Sequence, residues 1–214
     1  QDENAAAQAI DVHLYFGGPA GSAAPGVPVR AGVNRADLCG PLGSCEHGFV
    51  LRAPRSLMDG QPREVFAYAI DTAGGNNPEL AGSRTPLTCA QLPAPGVRRH
   101  IVNGAAFAAF GFSAFMDVQP VSDAALATFD DAEDFPAAPV MVRGDGTLAV
   151  YLLDRGLKRH VPSPTVAEAW HLDLGTVKVV AAAEVDDLQL GPPLRERPML
   201  VQGSGPAVYA IDDP

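Results

Sequence analysis

The chain has 214 residues and a formal net charge of −10, from 25 acidic and 15 basic residues. Such an acidic protein repels a phosphate backbone before any local contact forms, which argues against nucleic acid as a partner. No run of about 18 apolar residues is present, so no membrane span is expected, and 22 Gly with 20 Pro predict frequent turns and short elements rather than long helices.

Taken in chain order, Ile10-Asp11-Val12-His13-Leu14-Tyr15-Phe16 alternates apolar and polar residues and stops at Gly17-Gly18, as a half-buried strand does. Residues 27–33, 48–52, 64–71 and 85–89 read as further strands, with Leu57-Met58-Asp59-Gly60-Gln61 as a turn before the longest. Short strands separated by Gly, Pro and Asn predict an antiparallel β-sandwich over residues 1–90. Cys39 and Cys45 lie in a short loop with two Gly and a Pro, a spacing that predicts a disulfide and hence an oxidising compartment. The competing reading is a zinc site from Cys39, Cys45 and His47, for which no fourth ligand has suitable spacing. Cys89 is left over as a buried thiol, a partner for a segment upstream of residue 1, or an interchain link. In the loop 71–79, the oxygens of Asp71, Asn76, Asn77 and Glu79 are the right kind for calcium; the alternative is that Asp and Asn hold tight turns while Gly supplies positive φ. No other cofactor is expected.

Residues 91–214 say nearly the same thing twice. Val97-Arg98-Arg99-His100-Ile101 returns as Leu157-Lys158-Arg159-His160-Val161, Val142-Arg143-Gly144 as Val201-Gln202-Gly203, and Val150-Tyr151 with Asp154 as Val208-Tyr209 with Asp212. The units run over about 97–154 and 157–213, and a duplicated α+β domain follows from the repeat. Helices are expected at 105–110 and, after Pro162-Ser163-Pro164, at 165–170. A hairpin is expected around Arg143-Gly144-Asp145-Gly146-Thr147 and again around Gly203-Ser204-Gly205. The fold class is therefore mostly β with α+β character: an N-terminal antiparallel Ig-like β-sandwich, then the duplicated domain.

Two resemblances accompany these readings. Ile10-Asp11-Val12-His13-Leu14-Tyr15, Gly18-Pro19-Ala20-Gly21, Arg35-Ala36-Asp37-Leu38, His47-Gly48-Phe49, Leu57-Met58-Asp59-Gly60-Gln61 and Tyr68-Ala69-Ile70-Asp71 through Leu80 come in the order seen in an Ig-like accessory module of secreted bacterial proteins, which residues 8–90 resemble. That resemblance implies a place beside hydrolases or on surface proteins. It also implies a Trp-containing strand, often with a cysteine, upstream of residue 1. Val150-Tyr151, Asp154, Lys158 through Pro164, Ala169-Trp170 and Gly203-Ser204-Gly205-Pro206 are similar to tandem hairpin-plus-"KRH" repeats of secreted, cell-wall-associated bacterial proteins.

The residues that invite a binding role are Arg98, Arg99, His100, Lys158, Arg159 and His160, since recurring cations can grip a carboxylate and Arg offers a bidentate fork. Trp170, the only tryptophan, is a candidate for stacking on a sugar ring. The alternative is that the cations pair with the domain's own acids, such as Asp130, Asp131, Glu133 and Asp134, or cap helix ends, and that Trp170 is core. There is no Gly-x-Ser-x-Gly, His-Glu-x-x-His, phosphate loop or dinucleotide fingerprint, and the histidines are scattered. The expectation is a secreted or cell-surface, non-catalytic module that binds a cell-wall or extracellular glycan or protein. A structural spacer, or a glycan hydrolase with two spatially paired acids, is the alternative.

Overall fold

A computed structural model describes residues 7–89 and 96–213, and within it the chain is mostly β, with several sheets and short helices. The expected boundary at 90/91 lies outside the described residues. The described residues divide into two compact units: one holds the residues up to Ala53 with Gly60–Cys89, the other Pro54–Asp59 with the residues from 96 onward.

The first unit is built on β1 (Asp11–Phe16), β2 (Gly26–Arg30), β3 (Val33–Asn34), helix α1 (Cys39–Leu42), β4 (Glu46–Gly48), β5 (Pro62–Ala69) and β6 (Thr85–Thr88). Strands β2-β1-β5-β6 form an antiparallel sheet in that order, and β3 and β4 form a separate ribbon. The period of two is plain in β1, where Val12, Leu14 and Phe16 are buried and the residues between them are not. Cys39 and Cys45 are disulfide-bonded across α1, which consumes both thiolates that a zinc site would need. Residues 48–52 do not form the expected strand: Gly48 ends β4, and the extended stretch that follows leaves Val50 76 % exposed while Phe49 and Leu51 line an apolar cavity of about 420 Å³ with Leu14, Phe16, Val65 and Leu87. The segment read as a turn at 57–61 begins in a 3₁₀ turn, Arg55–Leu57, whose Leu57 is buried and which packs on elements of the second unit.

The second unit contains β7 (Val97–His100), α2 (Gly104–Ala109), α3 (Ala114–Asp117), β8 (Val118–Pro120), α4 (Asp123–Leu126), β9 (Asp130–Asp131), β10 (Met141–Gly144), β11 (Val150–Asp154), β12 (Leu157–Val161), α5 (Pro164–Ala169), β13 (Lys178–Val180), α6 (Ala182–Asp186), β14 (Gln189–Leu190), β15 (Leu200–Gln202) and β16 (Val208–Asp212). They make two five-stranded sheets of the same pattern, β13-β10-β11-β12-β14 and β8-β15-β16-β7-β9. In each, a hairpin sits at the centre and the Arg-His strand pairs antiparallel with its second arm. The strand after the first helix runs parallel to the first arm, and a two-residue strand closes the far edge.

The two sheets nevertheless draw on the chain differently. One is consecutive from Met141 to Leu190, whereas the other joins β7, β8 and β9 to a hairpin from residues 200–212. A sheet thus combines parts of both sequence repeats. Helices α2 and α5 start where capping chemistry places them: Asn103 and Ser163 accept from the amides of Ala106 and Val166, and Pro164 occupies the first turn of α5. Their apolar sides contribute to one core that holds equivalent positions of both repeats, Ile101 and Val161, Phe110 and Trp170, and Phe112 and Leu172. Phe135 lies at 5.0 Å from the Phe110 ring centroid and 6.1 Å from that of Trp170.

Candidate functional site

Side chains alternate along β7 and β12, so the middle residue of each Arg-His motif points opposite to its neighbours. Arg99 and Arg159 point inward and are 8 % and 1 % exposed. There they meet Asp154, at the end of β11, and Asp212, at the end of β16, which are equally buried.

The hydrogen bonds of this quartet are complete. Arg99 donates from Nη1 to Asp154 (2.6 Å) and Asp212 (3.1 Å), from Nη2 to Asp154 (2.8 Å) and the Asp134 carbonyl (3.1 Å), and from Nε to the Glu133 carbonyl (3.0 Å). Arg159 repeats the arrangement, with Nη1 on Asp154 (3.3 Å) and, more closely, on Asp212, Nη2 on Asp212 (2.7 Å) and the Pro193 carbonyl (3.5 Å), and Nε on the Pro192 carbonyl (2.9 Å). All five N–H groups of each guanidinium are used, and two cations balance two anions. Burial disfavours the charge on Arg99, but the bonds and charges of Asp154 and Asp212 outweigh it and hold the group above its usual range. Burial likewise works against an ionised Asp212; the hydrogen bonds and charges of Arg159 and Arg99 prevail, so its pKa lies below the ordinary value. A cavity of about 350 Å³ borders the quartet, walled also by Glu133, Arg155 and Pro192.

The flanking residues point outward. Arg98 forks onto Asp131 (2.6 and 2.9 Å) and caps the carbonyl of Leu126 at the end of α4, while Lys158 caps the carbonyls of Val185 and Asp186 at the end of α6. Each cation also lies over a tyrosine, Arg98 at 5.3 Å from the Tyr209 ring and Lys158 at 5.5 Å from Tyr151. Each tyrosine ring also packs against the motif histidine, His100 at 5.4 Å from Tyr209 and His160 at 5.6 Å from Tyr151. Both sheets therefore carry the same outward row, cation, tyrosine, histidine, and all four rings are partly exposed.

Of the seven residues expected to touch a ligand, Arg99 and Arg159 are inside the quartet and Trp170 is in the core. The indole is 2 % exposed, and its Nε1 donates to the Arg195 carbonyl at 2.8 Å. Arg98, His100, Lys158 and His160 lie on the outward rows. The acids expected as internal partners take part differently: Asp131 holds Arg98 and Asp134 lies 3.8 Å from His100, but Glu133 and Asp134 serve Arg99 through their carbonyls. Asp154 and Asp212 were not singled out as partners. Their signal was the repeat itself, which matches one with the other just as it matches Arg99 with Arg159.

In the 71–79 loop, Asp71 accepts from the amide of Ala73 (2.7 Å), Asn77 from that of Asp71 (2.9 Å), and Glu79 from Nε and Nη2 of Arg84 (3.0 and 3.3 Å). Arg84 holds the Glu79 carboxyl below its usual range. These oxygens thus serve the loop, and among the described residues no cluster of three or more His, Cys, Asp or Glu is placed to hold a metal. Cys89 is a free, half-buried thiol, and among the described residues no helix is long and apolar enough to cross a membrane. Comparison with protein-family models, curated proteins and solved structures finds no match for this chain.

Proposed function

We propose that this is a non-catalytic module that works outside the cytoplasm and binds an extracellular or cell-wall glycan through the two outward tyrosine–histidine rows. The observation that carries the reading is the recurrence of the row: Tyr151 with His160 and Lys158, and Tyr209 with His100 and Arg98, on equivalent strands of two like sheets. A partly exposed tyrosine offers a flat apolar face to the C–H side of a sugar ring, and the adjoining imidazole and hydroxyl supply hydrogen bonds to its edge. The Cys39–Cys45 disulfide supports an oxidising compartment. The net charge of −10 argues against nucleic acid. The quartet favours scaffold over catalysis, because its donors are spent on its own carboxylates and on backbone carbonyls. We take the second unit as the product of a duplication and the first as Ig-like, the former supported by the matching strand order of the two sheets.

Retention of the intact chain on insoluble peptidoglycan and on a panel of polysaccharides tests the reading. Retention that Tyr151→Ala and Tyr209→Ala each weaken, without loss of folding, is expected; no retention on any member of the panel overturns it. A second reading, a structural spacer with no ligand, is favoured by the same internal use of Arg99 and Arg159, and the absence of retention would establish it. A glycan hydrolase would instead release soluble fragments from the panel.

A further inference from the structure

The geometry points to the 200–212 hairpin as an exchangeable element through which two copies of this chain join. In the sheet β13-β10-β11-β12-β14 the central hairpin is bound into the chain, since β11 passes into β12 through the two-residue turn Arg155-Gly156. That hairpin cannot leave without dismantling its sheet. In the sheet β8-β15-β16-β7-β9 the central hairpin instead arrives from residues 191–199 and fills a slot between β8 and β7.

The connection is fixed along one stretch and free along another. Gly191 donates to the Lys158 carbonyl and Leu194 to that of His160, Pro192 and Pro193 accept from Arg159, and Arg195 accepts from Trp170, so the chain is tied to the neighbouring sheet as far as Arg195. The hairpin begins where Ile211 donates to the Met199 carbonyl. Between these points Glu196 and Arg197 form an exposed bend, and among the described residues no hydrogen bond involves either. They are the hinge.

Everything the hairpin grips lies on the other side of that hinge. Its backbone pairs with β8 from Leu200 to Gln202 and with β7 from Tyr209 to Asp212, its own Leu200, Val201, Ala210 and Ile211 are buried, and Asp212 completes the quartet. The hairpin of a second copy makes the same contacts, including Asp212 against Arg99 and Arg159. The closed and exchanged forms differ only at Glu196–Arg197 and in the concentration dependence of joining two chains, the condition under which reciprocal exchange gives a two-fold dimer.

His100 and Tyr209 supply the test, since they face each other across β7 and β16 beside the pair in which Ile101 donates to Val208. Such a non-hydrogen-bonded pair lies within disulfide reach. In a Cys89→Ser background, His100→Cys and Tyr209→Cys chains are unfolded together, refolded at high concentration and oxidised with glutathione disulfide. The chain carrying both substitutions is the control and cross-links within itself. Exchange predicts a disulfide-linked heterodimer that neither variant forms alone. A second measurement deletes Glu196 and Arg197, which is expected to prevent closure within one chain and yield a dimer in sedimentation. Absence of the heterodimer, or a folded monomer from the hinge deletion, overturns the inference.

Discussion

Asp212 bonds both Arg159 and Arg99, the latter 113 residues earlier in the chain, at a point where all three side chains are buried. Removing one member leaves the others charged and under-partnered in a poorly hydrated site. Breaking a buried pair from one side typically costs about 3–5 kcal/mol. Asp212→Ala is expected to lose stability on that scale in urea or guanidinium unfolding. Arg98→Ala, whose partner Asp131 is exposed, is expected to lose much less.

The same carboxylate sets an acid limit. The folded pKa of Asp212 lies below its ordinary value of 3.8, so its ionisation favours the folded state above that pH, and this contribution is lost as the pH falls through the depressed folded value. The difference in unfolding free energy between wild type and Asp212→Asn is expected to be constant near neutrality and to shrink from about pH 4 downward. A difference that grows on acidification would contradict the assignment.

Trp170 gives a prediction that separates core from binding surface. Trp170→Ala leaves a cavity beside Phe135 and strips the Arg195 carbonyl of its donor, with an expected cost of about 3–5 kcal/mol. If the ring instead served a ligand, the variant would keep its stability and lose retention on glycans. Thermal unfolding and retention measured together distinguish the two.

Calcium gives the opposite kind of expectation. With Asp71, Asn77 and Glu79 engaged by Ala73, the Asp71 amide and Arg84, addition of calcium or a chelator is expected to leave the melting temperature unchanged. A rise with calcium that Glu79→Gln abolishes would restore the metal reading.

What was legible in the sequence was whatever depends on local patterning. The alternation in β1, the Ser163 cap and the two Gly-rich hairpins lie where periodicity and turn chemistry put them. The disulfide was legible from loop length and composition. Residues 48–52 have strand composition but join no strand ladder beyond Gly48, because pairing is a property of the sheet rather than of the segment. The sharing of hairpins between sheets was hidden for a related reason, since two corresponding repeats leave open which hairpin completes which sheet. The direction of Arg99 was readable only once β7 was known to be a strand, for alternation puts Arg98 and His100 on the face opposite to it.

The measurement that bears most directly on the account compares Arg159→Gln with Tyr151→Ala, each assayed for unfolding free energy and for retention on insoluble glycan. The account predicts that Arg159→Gln is strongly destabilised, while Tyr151→Ala stays near wild-type stability and loses retention. A stable Arg159→Gln that no longer binds, beside a Tyr151→Ala that binds normally, would place the ligand on the buried cations and contradict it.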